Sequence, residues 1–165
     1  MLAVGSSSSL SLLEFIDTTD QQRLDMSGLR STLYNTIEEQ STPLFENLES
    51  QLNEYFAGER TTFSISLHAS GTPFQQSVWN ALQEIPYGKT WSYASLARHL
   101  GDLKAIRAVG RANGQNPIAI LVPCHRVIGS DGKLIGYAGG LERKRHLLKL
   151  EGAQAPAPEG QKQLF

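Results

Sequence analysis

The sequence lacks a second cysteine: Cys124 stands alone among 165 residues. That excludes an internal disulfide and any Cys-rich zinc site. No window approaches 18 consecutive apolar residues, which excludes a transmembrane helix. The opening stretch MLAVGSSSSLSLLEF has neither a basic start nor a small-residue cleavage site, so no secretory signal is expected. A free thiol fits a reducing interior. Net charge is also nearly lacking, at −1, but the total hides a segregation. Residues 1–88 hold 3 basic and 11 acidic side chains, whereas residues 89–150 hold 11 basic and 3 acidic. Either the two halves pair with each other, or the C-terminal half carries a basic face for a polyanion.

What is present suits a globular chain with a real core, 40% of it hydrophobic. Residues 1–16 read as a β-hairpin around GSSSS, LAV followed by LSLLEFI, so the chain is expected to begin already within a strand. Residues 17–42 are polar and poorly periodic and read as loop with one helical turn. From Pro43, the residues Leu44, Phe45, Leu48, Leu52, Tyr55 and Phe56 recur at helical spacing. Thr42 and Pro43 suit the helix start, and Gly58 its end. TTFSISL alternates and is β-branched, which predicts a strand. ASGTP, residues 69–73, reads as a boundary.

Beyond it, Phe74, Val78, Trp79, Leu82 and Ile85 mark one helical face. Ser92 can cap a helix to about Leu100, and Asp102 a second helix to about Arg111, a helix-turn-helix pattern. In the second helix Ala105, Ala108, Gly110 and Ala112 are small, while Lys104, Arg107 and Arg111 are long and cationic. Small residues let a backbone approach a DNA groove while the cations meet phosphates; they serve a tightly packed helix pair equally well. IAILV reads as a buried strand leading to PCHR. RVIGSDGKLIGY reads as a hairpin. LERKRHLLKLEG reads as a closing helix with Leu141, Leu147, Leu148 and Leu150 inward and cations outward, and 153–165 as a disordered tail.

A lone buried cysteine is ordinarily an inert small hydrophobe. Here Pro123 stops regular strand pairing just before Cys124, His125 follows it, and the local charge is positive. A free thiol titrates near about 8.5, so a neighbouring base and positive charge are the means of activating it. An imidazole adjacent to the nucleophile suits acyl transfer poorly. A thiolate also displaces leaving groups from saturated carbon. The thioether so formed has no easy reverse step, and there is no second cysteine to rescue it, so the protein is expected to react once.

PCHRV at 123–127 resembles the active-site signature of the O6-alkylguanine-DNA alkyltransferases, the methylated-DNA–protein-cysteine methyltransferases. FQQSVWNAL, IPYGKTWSYASLA, AIRAVGRANGQNP, ILVPCHRVIGSDG and GYAGGLERKRHLL follow the order of that family's C-terminal domain. The resemblance is strong over about 73–152 and weaker before it. It implies an α/β (α+β) fold in two domains. Residues 1–72 form a ribonuclease H-like domain with a small antiparallel sheet, and 73–152 a winged-helix-like domain with the helix-turn-helix. It further implies irreversible, single-turnover transfer of the alkyl group of O6-alkylguanine, and less so of O4-alkylthymine, to Cys124. His125 is then the proton relay, Glu151 the carboxylate behind it, Asn116 the brace of the active-site turn, and Tyr93 the donor to the leaving base. Val127, Tyr137, Ala138 and Gly139 wall the base pocket with Tyr93. Arg107 fills the stack, and Ala105, Ala108, Gly110 and Arg111 face the minor groove. The implied partner is double-stranded DNA containing O6-alkylguanine, met by a monomer without cofactor, metal or membrane.

On the residues alone, Tyr93 and Tyr137 also suit a core, Glu151 a helix end, Asn116 a turn before Pro117, and Arg107 a phosphate contact. Two departures stand out from the family pattern. Ala138 occupies a place where some relatives carry serine, and the zinc site of some relatives' N-terminal domain has no cysteines here. Two other function classes fit the same residues: a module that grips alkylated bases without reacting, and a sequence-specific helix-turn-helix regulator.

Overall fold

The computed structural model describes residues 1–16 and 38–153. Most of the expected loop at 17–42, and the expected tail beyond residue 153, lie outside the described residues. Strand β1 (Leu2–Gly5) pairs antiparallel with β2 (Leu10–Glu14), with Leu2 opposite Glu14 and Val4 opposite Leu12. The turn between them is closed by Ser6, whose hydroxyl accepts from the backbone N–H groups of Ser8 and Ser9.

β2 is the hub of the N-terminal part. Leu10 N–H donates to Ser66 O and Leu10 O accepts from His68 N–H; Leu13 N–H donates to Pro117 O and Leu13 O accepts from Ala119 N–H. The strand therefore stitches both the 66–68 segment and the 117–119 segment to its free edge. Leu10 and Leu13 are buried beneath these contacts.

Helix α1 (Pro43–Phe56) starts where Thr42 accepts from Phe45 N–H. Its inward face carries Leu48 and Tyr55 as the sequence implies, but Gln51 is buried too and Phe56 is exposed. Gln51 explains why TTFSISL is not a strand. Its amide donates to Ser64 Oγ (2.8 Å) and accepts from Ser64 N–H (2.9 Å), so a side chain takes the backbone group that a ladder would need. Only a single bridge, Leu10 with Leu67, remains of the expected pairing.

Helix α2 (Pro73–Gln83) opens with a reciprocal capping box between Thr72 and Gln75. Val78, Trp79 and Leu82 face the core, but Phe74 on the first turn is exposed. β3 (Trp91–Ser92) leads directly into α3 (Tyr93–His99), capped by Ser92. A 3-10 turn (Leu103–Ala105), with Asp102 accepting from Lys104 N–H, precedes α4 (Ile106–Gly114). The helix-turn-helix is thus present, with its second helix running three residues past Arg111. Trp79 Nε1 donates to Ala112 O (2.9 Å) and locks α4 to α2.

The expected strand IAILV is replaced by tight turns. Leu121 N–H donates to Ala119 O and Val122 N–H to Ile118 O. Ile120 sits at φ 70°, a left-handed conformation costly for a β-branched side chain. The next residues, Cys124–Arg126, form a 3-10 turn, followed by β4 (Val127–Ile128). β4 does not fold back as a hairpin; it pairs parallel with β3, Trp91 opposite Val127 and Ser92 opposite Ile128. A local turn at 129–133 remains, closed by Gly129 N–H to Lys133 O. Helix α5 (Leu141–Leu150) closes the chain. The β3–β4 pair fixes the start of the first helix of the helix-turn-helix against the end of the cysteine turn.

Candidate active site

Cys124 is 6% exposed and lines a cavity of about 130 Å³. The cavity is walled by Tyr137, Ala138 and Gly139 on one side and by Asn113 and Asn116 on another. The end of β2, through Phe15, closes a third. Gly139 is required there, since a Cβ would lie 2.9 Å from both the Phe15 and the Tyr137 ring. Asn116 braces the turn. Its Nδ2 lies 2.8 Å from Val122 O, 3.3 Å from Ile118 O and 3.1 Å from Cys124 Sγ, and its Oδ1 accepts from Ile118 N–H. One side chain thereby satisfies backbone groups left over by the missing strand and aims a donor at the sulfur. Asn116→Ala is expected to slow reaction of the Cys124 thiol with an alkylating substrate at least tenfold, since the sulfur loses its amide donor. It should also cost about 1–3 kcal/mol of stability by stranding buried polar groups. Single-turnover kinetics and urea unfolding measure the two losses.

His125 is fully buried, and its Nε2 lies 2.8 Å from Glu151 Oε1. Glu151 also accepts from Tyr55 Oη (2.7 Å), Arg126 Nε (2.8 Å), Arg126 Nη2 (3.0 Å) and Gly88 N–H (3.3 Å). Burial pushes the Glu151 carboxyl up, but hydrogen bonds from His125 and Arg126 outweigh it and hold the group down at about 2. An ionised carboxylate only accepts, so Nε2 carries the proton and Nδ1 holds a free lone pair. Nδ1 is buried and has no protein partner among the described residues. Gly88, at φ 71°, lets the turn approach so closely that a Cβ would stand 2.8 Å from Glu151 O.

The positive charge around Cys124 does not make it a standing thiolate, contrary to the expectation from local sequence. Burial raises the thiol, and the Asn116 hydrogen bond and the Lys144 charge offset it only in part. Arg126 is committed elsewhere, to Glu151 and, through Nη1, to Ile85 O at 2.6 Å. His125 is lowered by burial, with Glu151 opposing. The resting pair is therefore a neutral thiol and a neutral imidazole, and a proton must move when the sulfur attacks.

Tyr93 and Val127 are not among the residues lining the cavity. Val127 is fully buried, and its carbonyl accepts from Lys144 Nζ (2.6 Å). Tyr93 Oη donates to Ile135 O (3.3 Å) and accepts from Asn113 Nδ2 (3.5 Å). Gly110 crosses over the Tyr93 ring, where a Cβ would make ordinary contact at 3.8 Å. On α4, Arg107, Ala108 and Arg111 are exposed, Gly110 is half-buried and Ala112 turns inward, while Ala105, half-buried, ends the 3-10 turn before the helix. The small residues thus serve both a packed face and an open one.

Several residues escape sequence reasoning. Lys144 is fully buried, where a cationic outer face is expected; its ammonium donates to Val127 O, Ile135 O (2.8 Å) and Gly136 O (3.1 Å), tying down the loop that carries Tyr137. Burial lowers it to about 8. Its spacing from Leu141, Leu147 and Leu148 on one helical face is the signal that could have found it. Asn113 and Phe15 carry no such signal, because each meets the cavity only through tertiary packing.

A helix-turn-helix with an exposed cationic helix, set beside a cysteine that shares a cavity with a bracing asparagine and is followed by a His–Glu pair, defines a DNA-binding protein with a thiol nucleophile. Comparison with known proteins narrows the class. Residues 73–153 match the 6-O-methylguanine DNA methyltransferase DNA-binding domain, and residues 5–69 match the ribonuclease-like domain of the same family. The methylated-DNA–protein-cysteine methyltransferase of Methanosarcina acetivorans is 60% identical over 109 residues, 66% of this chain and 70% of that one. The constitutive one of Bacillus subtilis is 54% identical over 123 residues, 74% of each chain. The crystal structure of Mycobacterium tuberculosis OGT in complex with DNA superposes with a TM-score of 0.76 at 47% identity, covering 94% of this chain and 88% of that one. The chain belongs to the 6-O-methylguanine DNA methyltransferase family. Its fold is accordingly mixed α/β, with a ribonuclease-like N-terminal part bearing a small antiparallel sheet and a helical DNA-binding C-terminal part.

Proposed function

We propose that this protein repairs DNA by direct reversal, taking the alkyl group of O6-alkylguanine in duplex DNA irreversibly onto Cys124. The observation that carries the reading is the sulfur, placed in a cavity, 3.1 Å from the Asn116 amide and one residue before a buried His125–Glu151 pair. The thiol proton passes to His125 Nδ1, directly or through water. The sulfur then attacks the alkyl carbon, the C–O6 bond breaks, and the electron pair leaves with the guanine, which takes a proton from the Tyr93 hydroxyl once that group turns from Ile135 O toward the base; water carries the proton held at His125 back to the Tyr93 oxygen. O4-alkylthymine presents the same alkyl–oxygen bond and is a lesser substrate. No cofactor enters this balance. Among the described residues, no group of three or more His, Cys, Asp or Glu could hold a metal, and no helix is long and apolar enough to cross a membrane. A monomer acting where the DNA lies, in a prokaryotic cytoplasm or nucleoid, suits a free thiol.

The division of labour falls at residues 1–72 and 73–152, which the ranges of the two family models support. O6 and its alkyl carbon are shielded by stacking and pairing, so the base must leave the helix to reach Cys124. Arg107, exposed on α4 and without an ion pair to another described residue, fills the space the base leaves. Arg107→Ala is therefore expected to slow repair of duplex DNA about tenfold or more while barely changing reaction with free O6-alkylguanine base. Equal losses on both substrates would contradict the flipping role. Incubation with duplex DNA bearing O6-methylguanine tests the function itself. One methyl should be added per chain, on Cys124, and an unchanged intact mass would sink the reading.

A further inference from the structure

We propose that Tyr55 is a positioning residue of the transfer reaction, through which the N-terminal part of the chain sets the basicity of His125. The proposal rests on the repair reading above. Tyr55 lies on α1, 96 residues from Glu151 in sequence, and is fully buried. Its hydroxyl donates at 2.7 Å to Glu151 Oε1, the same oxygen that accepts from His125 Nε2 at 2.8 Å. Arg126 Nη2 reaches the same oxygen at 3.0 Å, so three donors share it, and Tyr55 is the one of them that carries no charge and comes from the N-terminal part. Each draws negative charge from it, and the more Tyr55 draws, the less remains to stabilise an imidazolium.

The ring is held for this purpose. It packs at 5.4 Å against Phe63, at 5.4 Å against Phe56, and edge-on at 6.2 Å against Tyr87. Tyr87 in turn receives the Arg126 guanidinium at 5.8 Å over its face. Burial and the Glu151 charge both raise the Tyr55 phenol far above its usual range, so it stays a neutral donor at every working pH. The charged groups around His125 are Glu151, which favours the imidazolium, and Arg126 and Lys144, which oppose it. Cys124 is the adjoining thiol. Tyr55 is the one member of this group supplied by the N-terminal part, so undocking that part would free Glu151 Oε1 from it.

Tyr55→Phe keeps the ring and removes the competing donor. In the full chain without DNA, the His125 imidazole followed by NMR should titrate higher by roughly half a unit to one unit. The acid limb of the methyl-transfer rate against pH should move up by the same amount. Site-specific 3,5-difluorotyrosine at position 55, a stronger donor, should move both downward, and it keeps the test open if the phenylalanine variant does not fold. A midpoint and a limb that stay put, with only a lower melting temperature, overturn the proposal, as does a shift of the opposite sign. If the midpoint moves in the protein without DNA while the wild type transfers no methyl group, the coupling stands and the repair reading fails.

Discussion

Cys124→Ser is expected to carry no methyl group after exposure to O6-methylguanine duplex, under conditions in which the wild type is fully alkylated. The physical reasons act together. Displacement at a saturated carbon favours a soft, polarisable nucleophile, and oxygen is neither. A serine hydroxyl is also far less acidic than a thiol, and this site offers little help in ionising it. Burial already raises the thiol, and only the Asn116 amide, the Lys144 charge and backbone hydrogen bonds oppose it. The deficit for an alkoxide in the same place is larger still. The variant should nevertheless fold, because serine fits the volume and Asn116 Nδ2 can donate to its oxygen as it does to the sulfur. Intact-mass measurement reads the loss, and a duplex-binding titration shows that the DNA face survives. Methylation of the serine variant at any other residue would remove Cys124 from the mechanism.

Glu151→Gln should have the second largest effect, on stability and rate together. The carboxylate is buried and binds two donors of Arg126 at 2.8 and 3.0 Å, with His125, Tyr55 and Gly88 completing its shell. An amide leaves the Arg126 guanidinium without a counter-charge and presents N–H groups to donors. The cost of breaking such a pair is about 3–5 kcal/mol, which lowers the melting temperature by on the order of 10 °C in a chain of this size. Transfer should slow at least a hundredfold, since the imidazolium formed at His125 loses its counter-charge.

The pH dependence of stability follows the same group. The Glu151 carboxyl is held at about 2 in the folded chain against an ordinary 4.5. Its stabilisation is thus complete above about pH 5 and is lost as pH falls toward 2, because the unfolded chain takes up the proton first. Wild-type melting temperatures should drop across that window, and Glu151→Gln should drop less. Equal slopes for the two proteins would show that this carboxylate does not carry the acid sensitivity.

Legibility from sequence differed by element. Helices α1, α2 and α5 are readable from apolar residues at helical spacing, and α1 and α3 from the start signals Thr42 and Ser92. Asp102 caps the 3-10 turn ahead of α4 rather than the helix itself, and α5 has no side-chain cap. The hairpin of β1 and β2 was equally plain. The two strands that sequence alone suggested at TTFSISL and IAILV failed for a reason no propensity contains. Ladder partners were taken by a side chain, Gln51, in one case, and turned away by the Ile120 backbone in the other. Cys124 and His125 stand out from their local context in PCHR, whereas Asn116 and Glu151 are picked out only by the family resemblance, since on residue type alone they suit a turn and a helix end.

That there is one thiol, with no second cysteine to rescue it, and that cations gather on α4 follow from residue type and local spacing. The protonation of that thiol follows from packing. Burial keeps the thiol neutral. The carboxylate that holds His125 lies 26 residues away from it in sequence, and the phenol that bonds the same carboxylate lies 96 residues from it. Desolvation and long-range hydrogen bonding are properties of packed neighbours, and the order of residues along a chain does not encode them one position at a time.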